Sequence, residues 1–151
     1  MKEKNFQEQI DRYYQLWFGA TQFYESWSKQ RGITYNAVLT LCTLLSNKEY
    51  CTQKMICDQW RLPKQTVNTI LKDFEAKGYV IFSTLAADKR NKLISFTADG
   101  EKYADKISAE LYSLDYYAVE KMGLERMREL NRNLEQYLAY CHEAQTDNDS
   151  K

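Results

Sequence analysis

The stretch TQKMICDQWRLPKQTVNTILKDFEAKGYVIFSTLAADKRNKLISFTADG, residues 52–100, decides the fold of this chain. Thr52 can cap a short helix that ends near Trp60, because a threonine hydroxyl accepts a hydrogen bond from the free amides at a helix start. Arg61 and Leu62 then form a turn. Pro63, the only proline in the chain, stands where a second helix begins, a position at which its missing amide proton costs nothing. The stretch therefore opens with two helices joined by a tight turn.

The second of these helices has one apolar face and is followed by a hairpin. Its apolar residues recur at the spacing i, i+3, i+4 and i+7 and are Val67, Ile70, Leu71 and Phe74. Gly78 can end the helix. Residues 79–85 and 92–97 are rich in β-branched and aromatic side chains, which predicts two strands joined by a loop at residues 86–91. Helix, turn, helix and hairpin in this order predict a winged helix-turn-helix.

Long helices are predicted on both sides of this unit. An aromatic stripe indicates a helix over residues 5–30, and Gly32 separates it from a helix that Thr34 can cap. Thr97 can cap a fifth helix, which Gly123 ends before a sixth begins. The fold class is thus mainly α with a small β-hairpin in a single chain, with a winged helix lobe at residues 34–100, flanking dimerisation helices at 1–31 and 101–145, and a disordered tail at 146–151.

Composition argues against several classes of function. No run of about 18 apolar residues exists and residues 1–9 are polar, so we expect no membrane span and a cytoplasmic protein. The four cysteines show no CxxC spacing and the chain has one histidine, so we expect no metal and no cofactor. No nucleophile with a partner base and no glycine-rich phosphate loop is visible, so we do not expect an enzyme.

Charge is distributed unevenly along the chain. The formal net charge is zero, which by itself does not favour a nucleic-acid partner. Residues 52–92, however, contain eight cationic and four acidic side chains, a net charge of +4 that the rest of the chain balances. A basic centre between acidic flanks suits a protein that presents one face to phosphates, although such an excess can also be ordinary solvated surface.

The polar side of the second helix carries residues that suit DNA. These candidates are Lys64, Gln65, Thr66, Asn68, Thr69 and Lys72. In the major groove the two amides can pair with adenine, the threonines can meet a thymine methyl or a phosphate, and the lysines suit guanine or the backbone. On an isolated helix the same residues would be an ordinary solvated face, but their place after a helix and a turn favours base contacts.

The predicted hairpin loop adds two cations. Lys89 and Arg90 can reach a neighbouring minor groove, where narrow A·T tracts concentrate negative potential, and Arg90 is the stronger candidate. Asp88 can orient the guanidinium through a charge-assisted hydrogen bond, or can serve only as a turn-forming residue. In either role Asp88 belongs to the wing.

These residues together resemble the MarR family of transcriptional regulators, named for multiple antibiotic resistance. PKQTVNTILKDFEAKGYV, residues 63–80, resembles the family's recognition helix with its run into the wing. Asp88, Lys89 and Arg90 fall where the family has an acidic-x-Arg wing tip, and SFTADG, residues 95–100, resembles its Leu-Thr-x-x-Gly element. Each piece is short, but their order along the chain makes the resemblance specific.

The resemblance implies a homodimer that binds a pseudo-palindromic operator on double-stranded DNA and represses transcription. It further implies that the six candidates of the recognition helix face the major groove and that Arg90 faces the minor groove. Two positions depart from the family pattern. Pro63 stands where the family often has a serine cap, and Arg61 stands at a turn position often filled by glycine.

The terminal helices suit a dimer interface, because they carry more apolar surface than one small domain can cover. The candidate interface residues are Trp17, Phe18, Phe23, Tyr24 and Trp27 with Leu130, Leu134, Tyr137 and Leu138. The aromatic stripe has a second interpretation, in which Tyr13, Trp17, Tyr24 and Trp27 wall a pocket for a small phenolic or aromatic effector. The simpler alternative is that the stripe is interface core and binds nothing.

Two other functions on the same fold remain open. Cys51 and Cys57 flank the third helix, so their oxidation would disturb the motif if either thiol is exposed and acidic. This would make the protein a thiol-based redox-sensing regulator. The other alternative is a winged helix used only for protein–protein contact, which would need neither the polar outer face of the recognition helix nor Arg90.

Overall fold

The structure, a computed structural model, describes residues 2–85 and 88–149, without the side chains of residues 2, 85, 88–91 and 147–149. Within these residues the chain forms six helices and one two-stranded hairpin. They are α1 (Lys2–Lys29), α2 (Tyr35–Ser46), α3 (Gln53–Trp60), α4 (Lys64–Ala76), β1 (Val80–Leu85), β2 (Asp88–Phe96), α5 (Ala98–Met122) and α6 (Leu124–Asp149). The mainly α winged helix-turn-helix predicted from the sequence is confirmed.

The chain divides into two compact units, Met1–Ser108 and Ala109–Lys151. The first contains α1 to α4, the hairpin and the start of α5. The second contains the rest of α5 and α6, with Gly123 between the two helices. Gly123 has a φ of 92°, which glycine adopts without the clash that a Cβ would cause, so the helices separate where the sequence predicts.

The hydrophobic core of the first unit lies among α2, α3, α4 and the hairpin. Its largest fully buried side chains are Phe74, Leu41, Leu44, Ile56, Leu71 and Ile94. The predicted apolar face of α4 points into this core, with Val67, Leu71 and Phe74 buried and Ile70 half-buried. The opposite side of α4 is thereby left on the surface.

Three threonines cap helices at the predicted positions. The Thr34 hydroxyl accepts a hydrogen bond from the Ala37 amide at 3.2 Å, and that of Thr52 accepts from Met55 at 3.4 Å. The Thr97 hydroxyl accepts from the Gly100 amide at 3.0 Å. Each bond satisfies an amide that has no partner within its own helix, which fixes where the helix begins.

The hairpin is longer than the sequence predicts. β1 and β2 are antiparallel, with Val80 opposite Phe96, and the register shifts between Thr84 and Leu85. Residues 88–91 belong to β2, so the prediction of a loop there is wrong: Asp88 pairs with Leu85, and the backbone of residues 89–91 lies at the register shift opposite Thr84 and Leu85. Residues 86 and 87 of the predicted loop lie outside the described residues.

The last helix also continues further than expected. α6 extends to Asp149, beyond residue 146, at which the sequence predicts a tail. The Thr146 hydroxyl donates to the carbonyl of His142 at 3.1 Å, as a residue inside a helix can. No glycine or proline follows Cys141, so the sequence contains no strong signal that would end the helix earlier. Residues 150 and 151 lie outside the described residues.

Candidate nucleic-acid interface

Two polar side chains hold α3 against its neighbours. The indole Nε1–H of Trp60 donates to the buried hydroxyl of Thr43 on α2, with a nitrogen-to-oxygen distance of 2.7 Å. Gln53 Nε2 donates to the carbonyl oxygen of Lys64, the first residue of α4, at 2.8 Å. The Trp60 pair is part-buried and the Gln53 pair is exposed, so loss of the Trp60 bond is the one that would leave a shielded polar group without its partner. The start of α4 is therefore fixed relative to α3.

The turn between α3 and α4 depends on Arg61. This arginine has φ 54° and ψ 34°, the left-handed region, and is the one non-glycine residue of the described chain with a positive φ. Its amide and the amide of Leu62 both donate to the carbonyl of Cys57. An L-residue in this conformation costs about 1 to 2 kcal/mol. The turn that glycine could make without strain is thus made here by arginine.

Pro63 precedes α4 rather than forming its first residue. It occupies the N-cap position with φ −59° and ψ 142°, and no side chain there caps the helix. Proline restricts its own φ to this range, so the extended entry into α4 is built into the covalent structure. The serine-like cap of the family pattern is replaced by a rigid entry without a capping hydrogen bond.

A groove of about 550 Å³ lies between α3, α4 and the hairpin. Three of the six predicted recognition-helix residues line it, namely Lys64, Asn68 and Lys72. The other lining residues are Gln53, Lys54, Cys57, Glu75, Phe82, Lys92 and Ile94. Four lysines from three elements thus stand around a floor that is partly aromatic and aliphatic.

The other three predicted residues of α4 lie outside this groove. At about 100° per residue, Gln65 and Thr69 point directly away from the buried face, and Thr66 lies on the flank opposite the groove. Gln65 and Thr69 are exposed, whereas Thr66 is half-buried. The Thr69 hydroxyl donates to the carbonyl oxygen of Gln65 at 3.0 Å. The predicted set is therefore divided between a groove side and an outward side.

Ion pairing divides the groove lysines into two kinds. Lys54 pairs with Asp58 on α3, and the hydrogen bond to that carboxylate raises the pKa of Lys54. Lys64, Lys72 and Lys92 form no ion pair with any residue that the structure describes. These three supply the unneutralised positive charge of the groove, which Glu75 opposes from α4.

Sequence reasoning missed Gln53, Lys54 and Lys92 as site residues. The lysines contributed to the local charge excess, but nothing in a linear pattern placed them beside Lys64 and Lys72. Their convergence depends on the segment before α3 pairing with β2, where the Ile94 amide donates to the carbonyl of Cys51 at 2.9 Å. Lys92 Nζ then lies 5.7 Å from the ring centre of Phe82, over the groove floor.

The roles predicted for the wing-tip residues 88–90 remain predictions. The backbone of Asp88, Lys89 and Arg90 belongs to β2. Their side chains lie outside the described part of the structure. The orientation of Arg90 toward a minor groove, and its contact with Asp88, therefore stand as expectations.

The four residues predicted to wall an effector pocket lie on α1 in three different settings. Tyr13 and Trp17 have ring centres 6.2 Å apart, and Tyr24 stacks on Tyr35 at 5.1 Å. Trp27 is buried beneath the guanidinium of Arg31, which lies 3.9 Å from its ring centre. Tyr13 and Trp27 are about 21 Å apart along the helix. Within one protomer these side chains do not surround a common cavity.

The two cysteines beside α3 are poorly suited to react as thiolates. Cys51 is buried, and burial raises its pKa to about 11. Burial also raises the pKa of Cys57, and the nearby carboxylate of Asp58 adds to that effect. A raised pKa keeps a thiol protonated at neutral pH, which lowers its nucleophilicity.

Comparison with known protein families agrees with the helix-turn-helix and hairpin described above. A protein-family model described as the MarR family matches residues 31–91, from the end of α1 to within β2. The match contains α3, α4 and most of the groove. Residues 31–91 of this chain are therefore similar to the MarR family.

Solved structures of MarR regulators share the fold over most of this chain. NMB1585, a MarR family regulator from Neisseria meningitidis, is 25% identical with a TM-score of 0.80, and the alignment covers 93% of this chain and 98% of that one. The MepR–DNA complex of Staphylococcus aureus is 21% identical with a TM-score of 0.73 and coverages of 86% and 96%. Overoxidized AbfR bound to DNA is 29% identical with a TM-score of 0.60 and coverages of 89% and 97%. No curated protein sequence matches the chain significantly.

Neither a membrane span nor a metal cluster occurs among the described residues of this protein. None of the described helices combines the length and the apolar character needed to cross a membrane. No group of three or more histidine, cysteine, aspartate or glutamate side chains in the described ranges could hold a metal ion.

Proposed function

We propose that this chain is a DNA-binding transcription regulator, a homodimeric repressor that a small aromatic or phenolic effector releases from a pseudo-palindromic operator. The observation that carries the proposal is the surface formed by α4 and its groove. Lys64, Lys72 and Lys92 meet there without carboxylate partners among the described residues, beside an exposed polar face on α4. Such a surface suits phosphates on one side and base edges on the other.

The arrangement of the surface supports a duplex as its partner. An α-helix fits the major groove, and the outward side of α4 carries Gln65 and Thr69 without any structural duty in the core. The groove lysines lie along one flank of the same helix, where a phosphate backbone would run. The structures of MepR with DNA and of AbfR bound to DNA have similar folds, which supports the same partner for this chain.

Exposed apolar side chains support a homodimer. On α1, Phe6, Phe18 and Phe23 are each more than half exposed, and Trp17 is 49% exposed. On α6, Leu130, Tyr137 and Leu138 are also exposed. Large aromatic side chains repeated along a helix are seldom left in water by a monomer. A second copy of the chain would cover them and set two α4 helices at a fixed separation, as a pseudo-palindrome requires.

The effector part of the proposal rests on the same stripe. Because Tyr13 and Trp17 lie far along α1 from Trp27, an aromatic ligand would be enclosed only where a second protomer supplies the remaining wall. Quenching of tryptophan fluorescence by 4-hydroxybenzoate, with a matching loss of DNA affinity, is the expected result. Quenching without loss of DNA binding would remove the effector from the proposal.

The two alternatives have less support. A thiol switch at Cys51 or Cys57 would need an accessible, acidic thiol, whereas burial raises the pKa of both. A module for protein–protein contact alone would not need three groove lysines that have no ion-pair partner within the described ranges. Neither alternative explains the exposed polar face of α4.

DNA binding is tested by selecting bound fragments from the source genome and measuring affinity by fluorescence anisotropy at several salt concentrations. Affinity should fall steeply with salt because each neutralised phosphate releases counterions. Lys64→Ala, Lys72→Ala and Lys92→Ala should each lower the slope of log K against log salt by about 0.9 for every phosphate that the variant leaves unneutralised. Lys29→Ala, which changes an exposed lysine on α1 outside the groove, is the matched control. Equal slopes for all four variants would refute the role of the groove.

The homodimer is tested by sedimentation equilibrium. Wild-type protein should show twice the mass of one chain, and Phe18→Asp should shift the equilibrium toward single chains. Tyr50→Asp, at a position that is exposed to the same degree as Phe23 but lies outside the terminal helices, should leave the mass unchanged. A wild-type protein that stays a single chain at all concentrations would contradict the dimer.

A further inference from the structure

The outward face of α4 presents a short row of side chains. Gln65 and Thr69 are four residues apart and share the side of the helix opposite Val67 and Leu71, and Lys72 lies between that side and the groove, which it also lines. Gln65, Thr69 and Lys72 are exposed. Asn68 is half-buried and turned to the groove. The row that can meet base edges is therefore smaller than the polar sequence of the helix suggests.

A hydrogen bond between Thr69 and Gln65 determines which of their polar groups remain available to a ligand. The Thr69 hydroxyl donates its proton to the carbonyl of Gln65 at 3.0 Å. What remains for a ligand is the acceptor side of that oxygen and the γ-methyl group. The Gln65 amide forms no hydrogen bond with the described residues, so its donor and its acceptor are both available.

The free amide of Gln65 and the methyl group of Thr69 match groups on adenine and thymine. A side-chain amide pairs with N6 and N7 of adenine in bidentate fashion, and a threonine methyl packs against the C5 methyl of thymine. Arginine does not occur on α4, and the two lysines of this helix, which could also read guanine, line the groove. Gln65 and Thr69 are one helical turn apart, about 6 Å, which is the span of roughly two base-pair steps.

We propose that α4 reads two A·T pairs about two base-pair steps apart, with Gln65 contacting an adenine and Thr69 contacting a thymine methyl, while Lys72 and the groove hold the backbone. The inference rests on the proposed function, since it assigns the base class that the same surface selects. Asn68 is excluded from the reading pair because it lines the groove.

The experiment uses two base analogues in the site selected from a random duplex library by full-length protein. Deoxyuridine lacks the thymine methyl, and 7-deazaadenine lacks the N7 acceptor. One thymine should exist at which deoxyuridine weakens wild-type binding about fourfold, the factor that burial of one methyl group supports. One nearby adenine should exist at which 7-deazaadenine weakens it about tenfold or more.

Matched variants assign the two contacts. Thr69→Ser keeps the hydroxyl and its bond to the Gln65 carbonyl but removes the methyl, so it should lose the response to deoxyuridine only. Gln65→Ala should lose the response to 7-deazaadenine only. Asn68→Ala, the control on the groove side, should keep both responses. Circular dichroism of each variant checks that α4 remains folded.

The outcomes separate this inference from the proposed function. Tight, salt-dependent binding to a site in which no analogue changes affinity, or in which Thr69→Ser responds as wild type does, would overturn the assignment and leave DNA binding intact. A G·C pair at both contacted positions would overturn it as well. Absence of any salt-dependent binding to DNA would refute the proposed function together with this assignment.

Discussion

Gly100 is the residue at which the structure predicts the sharpest response to a single methyl group. It lies in the first turn of α5, directly against the backbone of Tyr79 at the start of the hairpin. A Cβ at this position would lie 1.8 Å from the Tyr79 carbonyl oxygen and 2.5 Å from the carbonyl carbon. The neighbour is backbone rather than a flexible side chain, so the contact cannot be relieved by a rotamer change.

The cost of Gly100→Ala follows from that geometry. To restore an ordinary van der Waals separation, the two backbones must move apart by roughly 1.5 Å. Overpacking of this kind costs about 1 to 3 kcal/mol. The same Tyr79 oxygen accepts the Thr97 amide at 3.0 Å, and loss of that bond adds about 1 kcal/mol. Alanine's better helix propensity returns at most about 1 kcal/mol. We therefore expect a net loss of about 1 to 3 kcal/mol.

Urea unfolding followed by circular dichroism measures this loss. All variants are compared at one protein concentration, because the proposed dimer would couple stability to concentration. In a thermal melt the same loss should lower the melting temperature by about 2 to 12 °C for a chain of this size. Gly19→Ala is the control, because a Cβ there meets nothing within 4 Å and alanine should raise stability by up to about 1 kcal/mol. If Gly100→Ala is as stable as wild type, the close approach of α5 to the hairpin is refuted.

Three further predictions concern the turn, the groove and the buried thiol. Arg61→Gly should raise the free energy of unfolding by about 0.5 to 1 kcal/mol, because glycine adopts the left-handed conformation without strain and the added entropy of the unfolded chain costs less than that strain. Arg61→Ala should not raise it. Equal effects of the two substitutions in urea unfolding would contradict the strain at Arg61. Glu75→Gln should tighten operator binding several-fold in anisotropy titrations, since it removes the acid facing the groove lysines, and an unchanged affinity would place the phosphates elsewhere. At pH 8 iodoacetamide should label exposed Cys141 long before Cys51, whose pKa is raised to about 11, and equal rates by peptide mass spectrometry would count against its burial. Because folded Cys51 keeps its proton above the pH at which an unfolded thiol ionises, its contribution should be complete below about pH 8.5 and should decrease as pH rises from there toward 11.

Local signals accounted for most of the fold. The caps at Thr34, Thr52 and Thr97 and the stop at Gly123 depend on contacts within a few residues, so the sequence states them directly. The apolar spacing on α4 likewise identified its buried face. The start of β2 was missed because it depends on the pairing of Asp88 with Leu85 across the hairpin, which the propensity of these residues does not reveal.

The candidate site was harder to predict than the fold. Six polar residues on one helix looked like a single reading face, yet the structure divides them, because which flank meets the hairpin depends on how α4 packs. Lys92 joins the groove only through the pairing of β2 with the segment before α3. The effector pocket predicted on α1 failed within one protomer for a different reason. Periodicity places Tyr13 and Trp27 on one helix, but side chains so far apart along it do not share a cavity.

Within the helix-turn-helix, the side chains that position α4 are different from those on its outward side, so the two sets can be substituted with separate effects. Trp60 and Gln53 bind Thr43 and the Lys64 carbonyl, and so position α4 without using any outward side chain. Gln65 is consequently free of structural work, because what holds α4 is its buried face and its backbone. Substitutions in the outward row should alter which bases are bound while leaving stability within about 0.5 kcal/mol, as is usual for surface changes away from buried or capping groups. Substitutions at Trp60 should do the reverse, lowering stability while base preference in the folded fraction stays the same, because they break a part-buried hydrogen bond to the buried Thr43 and touch no outward residue.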